Sequence, residues 1–278
     1  DVALVSWIPL GVAGTAWATV IAQLLSGAAC MIYAWKVTPL MRVERAEWRY
    51  RSHYGREVLR YGLPTALQMS IISVSDMMLQ TAVNTYGTTM VLAYGICLRV
   101  EGIGCQLGDA LSAASATFTG QNIGAGRLDR VEKGTKDGLK LGLSVSVVLV
   151  ALILFFGRYL MEMFTSTPEV IDTGMHMMRI LAIGYVAMAV TQILSGVMRG
   201  AGDTITPMWI SLITTVVIRV PIAYGLAALM HSADALFISL LTSWVMGAVL
   251  TSIAFRMGRW KKKSIINDDV PEPADVQV

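Results

Sequence analysis

The sequence predicts an all-α integral membrane protein, a polytopic bundle of about seven transmembrane helices. Hydrophobic residues make up 55% of the 278 residues and charged residues only 15%, against roughly 25% charged in soluble domains. The segments 2–35 and 235–255 contain no charged residue, and each exceeds the roughly 20 apolar residues that cross a bilayer as a helix. This composition excludes a soluble globular domain, a disordered chain, a secreted disulfide scaffold and a nucleic-acid-binding protein.

Apolar runs, interrupted by Gly, Pro and charged residues, define the predicted helices in order. The first and last spans are the two uncharged runs. Glycine-rich segments at 120–126 and 200–202 end the third and fifth spans, and a basic segment at 127–140 precedes the fourth. The predicted spans are 11–35, 63–84, 90–118, 139–156, 180–198, 207–229 and 234–256.

The Lys and Arg residues lie almost entirely on one side of the predicted membrane. All but four of the 22 fall in the segments 36–62, 119–140 and 199–206, or in the tail from Arg256. Because basic loops tend to stay in the cytoplasm, these segments and the C-terminus are predicted to be cytoplasmic.

The long basic segment 36–62 allows two interpretations. Its arginines recur at helical spacing with Trp48 and Tyr50 among them, which favours an amphipathic helix on the inner headgroup surface. A solvated linker with orienting charges fits equally well. The tail 257–278 turns acidic after Lys263 and is predicted to be disordered.

Four ionisable residues lie within the predicted spans, namely Asp76, Arg99, Glu101 and Arg219. A charge at the centre of a bilayer costs about 2.5–3.5 kcal/mol or more, so it is retained where it is paired or faces water. At about 1.5 Å per residue, all four lie about 12–16 Å from the outer ends of their helices and share one layer. The short connection 85–89 makes the second and third helices neighbours, which predicts an Asp76–Arg99 pair.

Polar residues around Asp76 recur at helical spacing. Gln68, Asp76, Gln80 and Asn84 are eight, four and four residues apart, so they form one stripe on the second helix. In a bilayer such a stripe must face protein or water. Two interpretations stay open: an interhelical hydrogen-bond seam with a static ion pair, or a lining that meets a small-molecule substrate or coupling protons.

Pro221 lies in the middle of the sixth predicted span, two residues after Arg219. A proline inside a helix removes a hydrogen bond and frees backbone groups to face a cavity. Pro221 is therefore the predicted hinge, whereas Pro64 and Pro207 lie close enough to the starts of their spans to be first-turn prolines.

Four stretches of the chain form a recognisable combination. They are 61–87, which opens Tyr-Gly-Leu-Pro, Arg99-Val100-Glu101, Gly-Gln-Asn-Ile-Gly-Ala-Gly at 120–126, and Met-Arg-Gly-Ala-Gly-Asp-Thr at 198–204 with Pro207. Together they resemble the multidrug and toxic compound extrusion (MATE) family, and its DinF-like bacterial branch most closely. The opening 11–19 also looks like the start of the sixth helix of that family.

The resemblance implies a twelve-helix fold in two six-helix lobes related by a pseudo-twofold axis. Residues 1–36 are then the last helix of the N-lobe, 37–62 a cytoplasmic inter-lobe linker, 63–256 the six-helix C-lobe and 257–278 a cytoplasmic tail. The rest of the N-lobe, missing from this chain, is the implied partner, and the implied location is the bacterial cytoplasmic (inner) membrane.

The two glycine-rich motifs are interpreted as structural turns, because glycine tolerates the positive φ that often ends a helix. We expect Arg199 and Asp203 to pair or cap across the second turn, and Asp203 or Thr204 to cap the sixth helix. The residues predicted to have this structural role are Gln121, Asn122, Gly124, Gly126, Arg199, Gly200, Gly202, Asp203 and Thr204.

The resemblance also implies a secondary active transporter that exports amphipathic or cationic drugs and toxic small molecules by proton- or sodium-coupled antiport with alternating access. Apart from the coupling ion, no cofactor and no metal is expected. The carboxylates would accept the cation, the arginines would be their charge partners and the amides would line the path. The candidate residues are Asp76, Glu101, Arg99, Arg219, Gln68, Gln80, Asn84 and Gln192.

Two alternatives to the exporter remain. A lipid-linked oligosaccharide flippase of the same superfamily would favour a more cationic cavity than two arginines balanced by two acids provide. An intramembrane enzyme would need a metal-binding carboxylate pair, a His/Glu zinc motif or a nucleophile with its base. None of these is visible in the sequence, so the protein is not expected to be an enzyme.

Overall fold

A computed structural model describes residues 11–37, 52–230 and 232–262. Within these ranges the chain forms seven long helices and two short 3-10 helices, Asn84–Tyr86 and Arg259–Lys262, and the sixth long helix contains a π-helical segment at Ile213–Arg219. The helices are α1 (Gly11–Val37), α2 (Ser52–Val83), α3 (Thr88–Gly124), α4 (Leu128–Glu162), α5 (Pro168–Gly200), α6 (Ile205–Met230) and α7 (Asp234–Arg256). The predicted all-α fold is confirmed.

The chain divides into two units, Asp1–Arg56 and Glu57–Val278. In the first unit α1 is an apolar helix that exposes large side chains such as Leu24 and Leu25. Six of the seven helices are long and apolar enough to cross a membrane, and α2 is the exception. The polar residues of α2, among them Gln68, Asp76 and Gln80, lower its hydropathy.

Several helices are longer than the spans predicted from the sequence. α2 begins at Ser52 rather than 63, α4 at Leu128 rather than 139, and α5 at Pro168 rather than 180. Apolar runs mark only the part of a helix that fits the hydrocarbon layer, and polar turns continue it beyond that layer. Pro64 therefore lies inside α2 and not in its first turn. Most of the predicted amphipathic segment falls at 38–51, outside the described residues.

Helix α5 is the centre of the second unit and packs against α3, α4 and α7. Its buried side chains, among them Met177, Leu181, Ile193 and Met198, lie on all sides of the helix. A helix that is apolar all round is stable where neighbours cover every face. This explains why the fifth span has no polar stripe.

Two glycines one turn apart allow α5 to approach α3 closely. A Cβ atom added to Gly196 would lie 2.4 Å from the carbonyl oxygen of Ser112, and one added to Gly200 would lie 2.3 Å from that of Ala116. Small residues spaced in this way permit close contact of helix backbones. The prediction that Gly200 takes part in a turn with positive φ is therefore wrong, since it is a helical packing residue.

The two glycine-rich motifs end their helices with the same backbone pattern. At the end of α3, the amide of Gly126 donates to the carbonyl of Ile123 at 2.9 Å, and the amide of Arg127 to that of Asn122 at 2.8 Å. Gly126 has φ +69°, which is the left-handed residue of a Schellman motif. Gly124 is the last helical residue of α3 and has no positive φ, contrary to the prediction.

The second motif repeats this geometry at the end of α5. The amide of Gly202 donates to Arg199 O at 3.0 Å, the amide of Asp203 donates to Met198 O at 2.8 Å, and Gly202 has φ +88°. The buried Asp203 carboxylate accepts hydrogen bonds from the amide and hydroxyl of Thr206, so it caps α6. Thr204 makes no side-chain capping bond.

The first residues of the predicted disordered tail are folded. After a turn at Gly258, the Trp260 ring is 1% exposed and stacks on Phe255 with ring centres 5.1 Å apart. Its Nε1 donates to Phe255 O at 3.0 Å. Trp260 packs with residues from the ends of α3, α4 and α5, including Ile123, Val131 and Met198. We call the end of the bundle where Trp260 meets Ile123, Val131 and Met198 the basic end. Residues 263–278 lie outside the described residues.

We expect Trp260→Ala to destabilise the bundle by about 3–5 kcal/mol, because truncating a buried Trp loses its apolar contacts and leaves a cavity. Trp209→Ala is the matched control, since the Trp209 side chain is half exposed. The measurement is the thermal unfolding midpoint in detergent. Equal midpoints for the two variants would show that Trp260 does not hold the basic end together.

Candidate functional site

A buried arginine on α6 joins three helices in the apolar interior. The Arg219 side chain is 7% exposed, and its Nη1 lies 3.0 Å from Oδ1 of Asp76 on α2. Its Nε donates to the hydroxyl of Ser243 on α7 at 3.0 Å, and Nη1 lies 3.5 Å from the hydroxyl of Ser75. Arg219 is therefore both paired and hydrogen-bonded, as a charge in a membrane helix must be.

Further polar contacts connect α2 to α6 on the basic side of this pair. Gln68 Nε2 donates to the Ser211 hydroxyl at 2.7 Å, and the Ser75 hydroxyl donates to the carbonyl of Thr215 at 3.2 Å. On α6, Ser211 contributes its hydroxyl, Thr215 its backbone carbonyl and Arg219 its guanidinium to the contacts with α2. The polar stripe predicted on α2 is thus one side of a polar interface, and α6 provides the other side.

The π-helical segment carries Arg219 and ends directly before Val220 and Pro221. Single π-helical turns within α-helices are rare and occur frequently at functional sites. Pro221 has no amide hydrogen, so the regular ladder of hydrogen bonds cannot continue through it. The structure thus shows a change of helix type directly before Pro221, beside the buried charge, and the hinge at Pro221 stays a prediction.

The Asp76 carboxylate is the accessible partner of the pair, because its side chain is 56% exposed. Glu101 on α3 is half-buried and close enough to Asp76 and Arg219 to interact with both electrostatically. Among the described residues, no hydrogen bond or ion pair joins Glu101 to another side chain. The structure thus brings together three of the four predicted membrane charges.

The predicted Asp76–Arg99 pair is wrong, since Asp76 pairs with Arg219. Arg99 is exposed on α3, whereas its neighbours Cys97 and Val100 are buried towards the bundle. One residue along a helix turns the side chain by about 100°, so Arg99 points away from the face that meets α5. A short loop makes helices consecutive, but it does not determine which faces meet.

The remaining polar candidates fall into two places. Gln80 donates to Asn84 at 2.9 Å on the exposed side of α2, near Asp76 along the same helix. Gln192 on α5 instead donates to Asp109 on α3 at 2.6 Å. Gln192 is therefore separate from the Asp76 cluster, and Gln68 is buried against α6 rather than aligned with an open lining.

A second polar chain links α3 to α5 nearer the basic end. Arg199 Nη2 donates to the Ser112 hydroxyl at 2.6 Å, and that hydroxyl donates to the carbonyl of Gln192 at 2.8 Å. Of the two roles predicted for the Arg199–Asp203 turn, capping by Asp203 is the one confirmed. Arg199 bonds to the neighbouring helix.

Sequence reasoning missed the hydroxyl residues of the site and the carboxylate that meets Gln192. Ser and Thr are common in membrane helices, so a single hydroxyl gives little signal. The missed side chains are Ser75, Asp109, Ser211 and Ser243, and Thr215 contributes its backbone carbonyl.

Over nearly all of its length, the chain is similar to bacterial proteins that are named probable multidrug resistance proteins. It is 28% identical over 266 residues to "Probable multidrug resistance protein YoeA" of Bacillus subtilis, a match that covers 92% of this chain and 56% of that protein. It is 24% identical over 258 residues to "Probable multidrug resistance protein NorM" of Thermotoga maritima, covering 92% and 55%. The chain thus spans little more than half the length of these relatives.

Solved structures of MATE transporters have the same fold. The crystal structure of the eukaryotic MATE transporter AtDTX14 matches with a TM-score of 0.84 at 22% identity, over 94% of this chain and 59% of that chain. An outward-facing multidrug resistance MATE family transporter of the MOP superfamily matches with a TM-score of 0.83 at 18% identity, over 94% and 60%. At these identities the structural similarity establishes the fold alone.

The family model described as MatE matches residues 64–225. This segment contains the buried pair, the hydroxyl interface and both glycine-rich turns, and it is more than half of the chain. The protein therefore belongs to the MatE family of membrane transporters.

Proposed function

We propose that the full-length transporter containing this chain exports amphipathic or cationic drugs and toxic small molecules in exchange for protons or sodium ions. The observation that carries the proposal is the Asp76–Arg219 pair. A half-exposed carboxylate that is paired with a buried guanidinium can bind a proton or a cation from its exposed side. In a fully buried pair the carboxylate has no such access. The multidrug resistance names of the relatives support export of this substrate class.

The exchange follows from charge balance at Asp76. When Asp76 is ionised, it offsets the charge of Arg219 and attracts a cationic substrate to its exposed side. When it binds a proton, Arg219 loses its only ionic partner among the described residues. Leaving a buried charge without a partner is costly, so protonation favours a second arrangement of α2 against α6. Alternating access needs such a two-state element.

Within this proposal each polar residue near the pair has a separate task. Asp76 accepts the cation or the proton, and Glu101 adds negative charge beside it. Gln80 and Asn84 extend the polar surface along the exposed side of α2. Arg219 stays charged throughout as the fixed internal counter-ion.

We also propose that α1 is the last helix of an N-lobe and that residues 63–256 form the C-lobe. On α2, the side chains of Leu63, Leu67, Val74 and Met77 are exposed within the second unit. An N-lobe packed on this face would cover them. The positive-inside rule supports a cytoplasmic position for the basic end and the C-terminus.

The π-helical segment and Pro221 form the flexible part of α6 in this mechanism. Pro221→Ala restores an amide donor inside the helix, so we expect a gain in stability of about 1–3 kcal/mol and slower transport. The measurements are the unfolding midpoint and the initial efflux rate. Pro207→Ala is the control, because Pro207 lies in the first turn of α6, where its missing donor costs little. A Pro221→Ala variant that transports at the wild-type rate would remove the hinge from the mechanism.

Efflux of a fluorescent cationic dye tests the function itself. The full-length transporter is reconstituted in vesicles, and a proton gradient or a sodium gradient is imposed separately. We expect dye movement with one of the two gradients and none without. Absence of transport with either gradient would contradict the exporter and direct attention to lipid flipping, which a fluorescent lipid-linked substrate would then report.

A further inference from the structure

Arg99 is the predicted site residue that the Asp76 cluster leaves out. Its guanidinium carbon lies 5.9 Å from the centre of the Phe164 ring, in the short connection between α4 and α5. A cation over an aromatic face at this distance is attracted by the ring. Long side chains on a helix point towards its N-terminus, so Arg99 extends to the end of the bundle opposite the basic end.

The charge of Arg99 has no anionic partner in the described part of the chain. None of the ion pairs formed by the described residues includes Arg99, and no carboxylate of those residues lies within 4.0 Å of its side-chain nitrogens. Two other arginines lie towards this end: Arg158 pairs with Glu162 and Asp172, and Arg179 is exposed on α5 but does not line the cavity that contains Arg99. Arg99 therefore offers a positive charge that Arg158 does not.

Arg99 and Phe164 line an open cavity of about 380 Å³. The rest of the lining is almost entirely apolar: Val91, Leu92, Gly95, Ile96 and Thr165. Thr165 adds a hydroxyl to the lining, on the same connection as Phe164. One cation and one hydroxyl within an apolar lining suit a ligand that is mostly apolar and has an anionic group at one end.

The surroundings place the cavity at the boundary between lipid headgroups and acyl chains. Tyr159 and Phe164 are exposed aromatic side chains at this end of α4, and aromatic residues concentrate at this level of membrane proteins. From Arg99 towards the middle of the bundle, α3 exposes the apolar side chains of Ile103 and Leu107. A headgroup at Arg99 would thus lie directly above a surface suited to acyl chains.

We infer that Arg99, Phe164 and Thr165 form a binding site for the phosphate of an anionic phospholipid in the leaflet opposite the basic end. Arg99 donates to the phosphate oxygens, for which its planar fork is well suited, and Thr165 supplies a second donor. Ile103 and Leu107 contact the acyl chains. A soluble anion would satisfy Arg99 but would leave these apolar side chains uncovered, which is why the lipid is the occupant.

Native mass spectrometry of the full-length transporter, released from nanodiscs of mixed phosphatidylglycerol and phosphatidylcholine, measures the lipids that stay bound. We expect preferential retention of phosphatidylglycerol, and a retention about fivefold lower in Arg99→Gln, as expected for loss of about one basic contact near the headgroups. Arg99→Lys keeps the charge and retains most of the lipid. Arg158→Gln is the matched control, with retention unchanged.

Equal retention of phosphatidylglycerol by wild type and Arg99→Gln would overturn the site, and so would equal retention of the two lipids by the wild type. Displacement of the lipid by millimolar inorganic phosphate would assign the cavity to a soluble anion instead. If Arg99→Gln is not monodisperse, the comparison of Phe164→Ala with wild type decides, and unchanged retention in Phe164→Ala counts against the proposal. Since lipid retention needs no transport, this test is independent of the dye-efflux assay.

Discussion

Replacing Gly200 with alanine is expected to prevent normal assembly of the bundle. The new Cβ would lie 2.3 Å from the carbonyl oxygen of Ala116, and a backbone atom cannot move aside as a flexible side chain can. Helices α3 and α5 would have to separate along the contact at the centre of the fold. We expect a loss of about 3 kcal/mol for Gly200→Ala, at the upper end of overpacking costs, and a greater loss when Gly196→Ala is added.

The matched control for this substitution is Gly102→Ala, a helical glycine on α3 with no atom within 4 Å of the added Cβ. Alanine is the better helix former, so this variant should be as stable as wild type or more stable by up to about 1 kcal/mol. The thermal unfolding midpoint and the monodisperse fraction after purification measure both effects. If Gly200→Ala matches Gly102→Ala, the close contact of the two helices does not exist.

Replacing Asp76 is expected to destabilise the protein more than replacing Arg219, although the two residues form one ion pair. Asp76→Leu leaves a guanidinium that is 7% exposed without its counter-charge, and breaking a buried pair in this way costs about 3–5 kcal/mol. Arg219→Met leaves a carboxylate that is 56% exposed and can be hydrated. We expect the second substitution to cost about 1 kcal/mol, because an apolar side chain replaces a buried charge.

A double-mutant cycle checks this asymmetry. The variant with both Asp76→Leu and Arg219→Met should have nearly the stability of Arg219→Met alone, since no unpaired buried charge remains. Unfolding midpoints of the four proteins provide the measurement. Additive losses would show that the two side chains do not act on each other, and a larger loss in Arg219→Met than in Asp76→Leu would reverse the assignment of the buried partner.

The number and order of the helices could be predicted from the sequence, because long apolar runs have few alternatives in a bilayer. The last span, 234–256, coincides with α7. Helix ends were less predictable, as α4 shows: its first turns are charged, and hydropathy does not distinguish a solvated helix from a loop. The folded Trp260 was missed for a related reason, since a short polar segment conceals one buried aromatic side chain.

For the site, the sequence indicated which charges need partners but not which partners they find. Arg219 and Asp76 were both identified because a charged side chain within the membrane carries a free-energy cost. Their pairing depends on the rotation of α2 and α6 about their axes, and connectivity favoured Arg99 instead. The hydroxyls of Ser75 and Ser243 complete the bonds of Arg219, and only the packing of three helices brings them to one guanidinium.

The most direct test of the transport mechanism is gradient-driven dye efflux by the Asp76→Asn variant. Asparagine keeps an oxygen that accepts from Arg219 but cannot carry the charge, so the account predicts weaker binding of the cationic dye and no gradient-driven movement. Asp129→Asn is the control, because Asp129 pairs with Arg127 at the same 3.0 Å distance but on the exposed surface, and it should transport normally. Wild-type efflux by folded Asp76→Asn would contradict the assignment of Asp76 as the coupling carboxylate.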